Sequence, residues 1–326
     1  MARRLFTAAV TMTATILLAG CGSAGSSGTE APPSAAANGG CAPVSGRSLR
    51  VLVDDKKLQN TDNVVPAVNA KASSPELIAV LDRVSAALDT TKLIALNKAV
   101  DIDRKSPKAA AEQFVTDNHV TAGIAKGAGG TLTVGAANFS ESATLGEIYG
   151  LALTAAGYRV KVQQIGNREL YAPALEKGDL DVVPEYAATL ATFLTGKSAD
   201  PSSPDLNTTM SHLRMLGQKV GLVFGAASAA QDQNAFATTT AFADKYGVKT
   251  LSDLAARCSG AATVLGGPAE CPQRPKCELG LAATYSFRPG RFASLDAGGP
   301  LTKSGLEQGT VSVGLVFSSD GALTAG

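Results

Sequence analysis

Tryptophan is absent from this 326-residue chain, and histidine occurs only twice, at His119 and His212. Both histidines lie in helix-period stretches, away from the cysteines and from any elbow-like serine. Zinc-site spacing, a nucleophile with its base, and a phosphate-cradling glycine loop are all missing, so the common enzyme signatures are lacking. Charge of one sign is lacking too: 29 Lys+Arg against 28 Asp+Glu leave a net charge of +1. Without a basic cluster interleaved with aromatics, a nucleic-acid surface is excluded. What remains is a globular balance, 45% hydrophobic and 17% charged, with enough chain for two lobes of ordinary domain size.

Residues 1–21 read as a targeting segment: Arg3 and Arg4, an apolar core over 5–18, then Leu18-Ala19-Gly20-Cys21. The apolar run is too short for a stable span and fits a cleaved signal. The tetrapeptide resembles a bacterial lipobox, which implies lipidation of Cys21 and an extracytoplasmic protein anchored to the cell membrane by lipid alone. Residues 22–48 are rich in Gly, Ser, Ala and Pro and are expected to form a flexible tether. Four cysteines remain, an even number in an oxidising compartment, so disulfides are expected rather than a metal site. Cys271 and Cys277 staple one loop, and elimination leaves Cys41 with Cys258.

Residues 131–190 alternate apolar runs with helix-period segments. A strand over 132–134 ends at Gly135. Leu145, Ile148, Tyr149, Ala152 and Leu153 then recur at helical spacing, with Ser140 or Ser142 as N-cap. A strand over 159–164 and a helix over 168–177 follow. Gly178 stops that helix, and a buried strand over 180–183 delivers Pro184-Glu185-Tyr186. Strands alternating with helices give an α/β fold with parallel strands, whose ligands sit beyond the strands' carboxyl ends. Residues 135–139, which include Asn138, share that edge with 166–168 and 186–189. Further downstream, residues 305–317 align without a gap to 174–186: a helix end, a glycine stop, and a strand ending in an aromatic. Two matching lobes would set Tyr186 and Phe317 on opposite walls of a cleft.

Upstream, a strand over 49–53, an extended crossing at 62–66 and helices over 75–88, 90–98 and 107–118 lead through a Gly-rich linker, 123–130, into the stretch above. The strings VGAANFSESATLGEIYG, NRELYAPALEKGDLDVVPEY and GGPAECPQRP resemble the substrate-binding proteins of ABC importers for glycine betaine, choline and related osmoprotectants. The resemblance covers nearly all of 49–323 and implies the two-lobed type II periplasmic-binding-protein fold, closing about a hinge. Its order is unusual: LRVLVDDKKLQNTDNVVPAV resembles the family's C-terminal third yet comes first. We read the chain as circularly permuted, a change tolerated at exposed loops. The expected lobes are 62–232 (a helical block 62–122, the linker 123–130, and βα units 131–232) and 49–61 with 233–326. The hinge lies near 61 and 233.

The resemblance also implies a site: a quaternary ammonium held among aromatic faces and a carboxylate gripped by an arginine. Tyr186, Thr189 and Phe317 fall on ligand positions, and Arg274 on that of the carboxylate-binding arginine. Ala137 stands where many members have lysine, Asn234 where some have a cage tyrosine, and Asp62 with Asn63 where another tyrosine is expected. An acid at Asp62, pairing directly with a cation opposite Arg274, would favour a small zwitterionic solute. Arg168 is read as an anion ligand or helix cap, and Tyr149, Tyr171 and Tyr285 as packing residues. The implied partners are an ABC permease and its ATPase, which supplies the transport energy. The protein would act as a monomer, without a cofactor. The competing functions are a solute-binding sensor or scaffold uncoupled from transport, and an enzyme on the same architecture.

Overall fold

The structure, a computed structural model, describes residues 39–196 and 202–323. The targeting segment and Cys21 lie outside them. The strands are β1 (Leu49–Val51), β2 (Val64–Asn69), β3 (Thr131–Ala136), β4 (Arg159–Gln164), β5 (Val182–Tyr186), β6 (Leu222–Phe224), β7 (Asn234–Thr239), β8 (Gly260–Pro268), β9 (Pro289–Leu295) and β10 (Val313–Phe317). They form two five-stranded sheets of the same design. In the order β4-β3-β5-β2-β6, β3 runs parallel to β4 and β5, while β2 is antiparallel to β5 and β6. In the order β9-β8-β10-β7-β1, β8 runs parallel to β9 and β10, while β7 is antiparallel to β10 and β1. The internal similarity of 174–186 and 305–317 is thus one piece of a repeated topology, with β5 and β10 in the same place.

The first sheet is packed on both faces. On one lie α1 (Pro75–Ala87), α2 (Thr90–Asn97), α3 (Pro107–Asp117) and α4 (Ser140–Ala155), around Val64, Leu81, Leu145, Ile148, Tyr149 and Leu153. On the other lie α5 (Arg168–Lys177), α6 (Ala187–Thr195) and α7 (Leu206–Lys219), around Val65, Leu180, Val183, Leu190 and Leu213. The second sheet carries α8 (Thr240–Tyr246), α9 (Leu251–Cys258), α10 (Glu278–Tyr285) and α11 (Pro300–Glu307), with Phe236, Phe242, Leu254 and Phe287 at its centre. Burial of these side chains, at about 1.5–3 kcal/mol each, is what holds each lobe together.

Local chemistry sets the helix ends. Ser74 and Ser106 cap α1 and α3 just ahead of a proline, where the missing N–H costs nothing. Thr250 and Asp253 form a capping box on α9. Gly178 stops α5 at φ +90°, a left-handed conformation that costs glycine little. The cap expected on α4 differs. Phe139 holds that position without a side-chain bond, and Ser142 Oγ instead accepts the N–H of Ala137 at 2.8 Å. The serine shapes the β3–α4 turn rather than the helix end.

Both disulfides, Cys41–Cys258 and Cys271–Cys277, are present. The first corrects the expected tether over 22–48. Cys41 is bonded to the end of α9, its carbonyl accepts from Ser312 Oγ at 2.9 Å, and Gly39 bridges Gly260. Residues 39–48 therefore belong to the second lobe. The chain passes between the sheets after β1 and again before β7. These crossings pair with each other: Asn63 opposes Gln231, and Asp232 N–H donates to the Asp62 carbonyl at 3.0 Å.

Candidate functional site

β5 and β10 deliver their last residues, Tyr186 and Phe317, to the gap between the lobes. In register, Tyr186 stands opposite Val64 of β2, and Phe317 opposite Asn234 of β7. A cavity of about 420 Å³ opens there. One wall is Asp62, Ala137, Asn138, Phe139, Arg168, Tyr171, Tyr186 and Thr189; the other is Asn234 and Phe317, with Gln59 and Lys276 at one side and Asp232 and Gln233 from the crossing. Phe139 stacks near Tyr186, centroids 6.3 Å apart and 29° between planes. Phe139 and Phe317 remain 44% and 39% exposed, so both ring faces are accessible from the cavity. A second cavity of about 390 Å³ shares Phe139, Asp232 and Phe317 and continues past Glu141.

Six of the eight expected ligand residues meet here: Asp62, Asn138, Tyr186, Thr189, Asn234 and Phe317. Arg274 does not. It pairs with Glu270 at 2.8 Å, its side chain is 59% exposed, and it does not line the cavity. The loop closed by Cys271–Cys277 turns Lys276 inward instead. Its Nζ donates to the Leu58 carbonyl at 2.8 Å and to Asn60 Oδ1 at 2.9 Å. Asn63 is also outside the lining: it is buried, its amide donates to the Ser228 carbonyl at 2.8 Å, and it braces the crossing.

Asp62 lines the cavity in a different role from direct pairing with a cation. Its Oδ1 accepts the N–H groups of Ala188 and Thr189 at 2.8 and 3.1 Å, fastening the positive end of α6 to the crossing strand. Burial pushes its carboxyl up to about 6, against the pull of those hydrogen bonds and of Arg168.

Arg168 and Tyr171, read from sequence as a cap or anion ligand and as packing, form one cluster on Glu185. Arg168 donates to Glu185 through Nε at 3.0 Å and Nη2 at 2.8 Å, and its Nη2 also reaches Thr189 Oγ1 at 2.9 Å. Tyr171 Oη and Tyr186 N–H donate to the same carboxylate at 2.8 and 3.0 Å. Glu185, 1% exposed, is satisfied on all sides. Behind Tyr186 lies Glu141, also buried. It accepts from Tyr186 Oη and from Asn97 Nδ2, and Asn97 Nδ2 also reaches the Ser319 carbonyl of the second lobe at 2.8 Å. Ser319 Oγ in turn donates to Asp232 Oδ1 at 2.8 Å. Burial, followed by their mutual repulsion for Asp232, raises the Glu141 and Asp232 carboxyls above the usual range.

Sequence reasoning passed over Phe139, Glu141, Asp232 and Lys276. Phe139 had a readable signal, since it closes the 135–139 turn at the ligand edge. The chemistry assembled is that of a receptor: ring faces, buried carboxylates and amides around an open cavity. Among the described residues no group of His, Cys, Asp and Glu is arranged to hold a metal ion.

A family model for the substrate binding domain of ABC-type glycine betaine transport systems matches residues 44–117 and 130–325. A glycine-betaine-binding protein of Pseudomonas aeruginosa is 33% identical over 85 residues, 26% of this chain and 27% of that protein. The match thus spans well under two thirds of that curated relative's length. Among solved structures, apo YehZ from Escherichia coli aligns at a TM-score of 0.50 and 22% identity over 59% of this chain and 71% of that one. The structure of a glycine betaine/carnitine/choline ABC transporter aligns at 0.46 and 20% identity over 59% and 69%. The two-sheet α/β architecture is that of type II periplasmic binding proteins. Since the matched segments cover well over half of its residues, the chain belongs to the family of substrate-binding domains of ABC-type glycine betaine transport systems.

Proposed function

We propose that this protein is the extracytoplasmic solute-binding component of an ABC importer, taking up a small quaternary-ammonium solute of the glycine betaine and choline class. The observation that carries the reading is the cavity between the lobes, with Tyr186 and Phe139 on one side and Phe317 on the other. A trimethylammonium head among those faces is attracted to each ring quadrupole. Lobe closure on the solute presents a surface to a permease, whose ATPase drives transport. A single copy carries the whole site, and the reading requires no enzymatic step and no cofactor. Lipidation at Cys21 would tether the protein to the membrane outside the cytoplasm. Among the described residues no helix is long and apolar enough to cross a bilayer.

The proposal includes a circular permutation. Two features support it: the family match breaks between 117 and 130, and Leu323 bridges Leu49 in the second lobe. A rearranged chain with 131–323 placed ahead of 44–122 is expected to fold and bind as the original does.

Titration calorimetry of the purified protein with choline, glycine betaine, carnitine and proline tests the function. Micromolar or tighter binding of a quaternary ammonium, with proline inert, is expected; binding of none of them overturns the reading. Co-purification with a permease only when the solute is bound separates an importer component from a free-standing sensor.

A further inference from the structure

We infer that the solute carries a net positive charge, a quaternary-ammonium alcohol such as choline rather than a betaine, and that Asp232 with Glu141 is its counter-charge. This rests on the proposed function and narrows it to a substrate class.

The argument is one of charge balance around the cavity. Two cations reach its lining, Arg168 and Lys276, and both are engaged. Arg168 is held bidentately by Glu185 and by Thr189, and Lys276 by the Leu58 carbonyl and Asn60. Arg274 lies outside, paired with Glu270. A ligand carboxylate would therefore meet no guanidinium free to grip it in a fork.

Two carboxylates at the cavity have only neutral hydrogen-bond partners, Ser319 for Asp232 and Tyr186 and Asn97 for Glu141. Glu141 is buried and Asp232 half-buried, and no ion pair among the described residues involves either. The charged groups packed around them are mostly of their own sign. Asp62 lies on the adjoining crossing, Asp101 follows α2, and Asp320 follows β10, though Lys303 neutralises Asp320 at 2.7 Å. Burial and like-charged neighbours raise both carboxyls, and a cation beside them would favour their charged forms. Asp232 lines both cavities, as do Phe139 and Phe317, so an ammonium lying against those rings would share the cavity with it.

The neutral polar groups lean the same way. Two buried amide oxygens in the walls, those of Gln233 in the first cavity and Asn97 in the second, have no donor. A surplus of acceptors suits a positive ligand bearing a hydroxyl and is ill matched to one that brings a second carboxylate. Tyr186 is part of the same device: its hydroxyl donates to Glu141, so the ring facing the cation is backed by a carboxylate.

The test is titration calorimetry of the intact protein with choline and with glycine betaine, for wild type, Asp232→Asn and Glu141→Gln. In wild type choline is expected to bind at least about tenfold more tightly, a difference of about 1.4 kcal/mol. Each substitution is expected to reduce choline affinity by about tenfold or more while leaving betaine nearly unchanged. Tighter betaine than choline in wild type overturns this inference but leaves the proposed function standing. An unchanged ratio in both variants overturns the role of the carboxylates. Binding of neither ligand overturns both readings. The wild-type ratio remains decisive if a variant fails to fold.

Discussion

Asp62 and Asp232 occupy matching places in the two lobes. Each stands two residues before the start of an antiparallel crossing strand, Asp62 before Val64 opposite Tyr186, and Asp232 before Asn234 opposite Phe317. Their backbones are joined, Asp232 N–H donating to the Asp62 carbonyl at 3.0 Å. The repeated topology thus brings two carboxylates together at the hinge. Their fates differ: Asp62 accepts two backbone N–H groups at the N-terminus of α6, whereas Asp232 accepts the Ser319 hydroxyl and lines the cavity.

The raised Asp62 carboxyl makes stability depend on pH. Its ordinary value is 3.8 and burial pushes it up to about 6, so between these values the folded chain holds a proton that the unfolded chain releases. The contribution is present below about pH 4 and lost as the pH rises through about 6. Urea unfolding of the ligand-free protein at about pH 4.5 and about pH 7 should show wild type losing on the order of 2 kcal/mol relative to Asp62→Asn, whose amide oxygen can still accept from α6. Parallel pH profiles for the two proteins would contradict the assignment.

Arg168 and Arg274 separate a structural cation from a surface one. Arg168→Met strands the Glu185 carboxylate at 1% exposure and is expected to cost about 3–5 kcal/mol. Arg274→Met, which breaks an exposed pair with Glu270, is expected to cost about 0–1 kcal/mol and to leave solute affinity unchanged. Denaturation and titration of both variants check this; loss of solute binding in Arg274→Met would restore it to the site.

The ring faces are testable one at a time. Phe139→Ala and Phe317→Ala each remove a partly exposed ring from the cavity, which is expected to weaken a quaternary ammonium by about 0.5–2 kcal/mol each. Because the rings are not core, melting temperatures should shift little. A large thermal loss without an affinity change would make them packing residues.

The two disulfides should differ in what their loss does. Cys41–Cys258 closes a loop with a separation of 217 residues, and replacing both cysteines with serine is expected to cost about 5 kcal/mol on the loop-entropy account. Cys271–Cys277, with a separation of 6, is expected to contribute about 2 kcal/mol. Its removal frees the loop that carries Lys276 and should also lower solute affinity. Chemical denaturation and calorimetry of the two double variants distinguish the effects.

The alternation of β3, α4, β4, α5 and β5 was legible in the chain because apolar period, glycine stops and caps are local properties. The similarity of 174–186 to 305–317 was legible for the same reason, and with it the ring-ended strands that meet at the cavity. Which of two basic residues in one small loop points inward was not local: Lys276 turns in because Leu58 and Asn60 wait there, and Arg274 turns out to Glu270. Glu141 reads as an ordinary first-turn helix acid. It is buried because Asn97, Tyr186 and Ser319, remote in sequence, close over it. The order of elements, the lobes and the aromatic walls follow from short-range pattern, whereas the sign of charge facing the solute depends on which side chains neutralise one another across the hinge, and only the folded chain decides that.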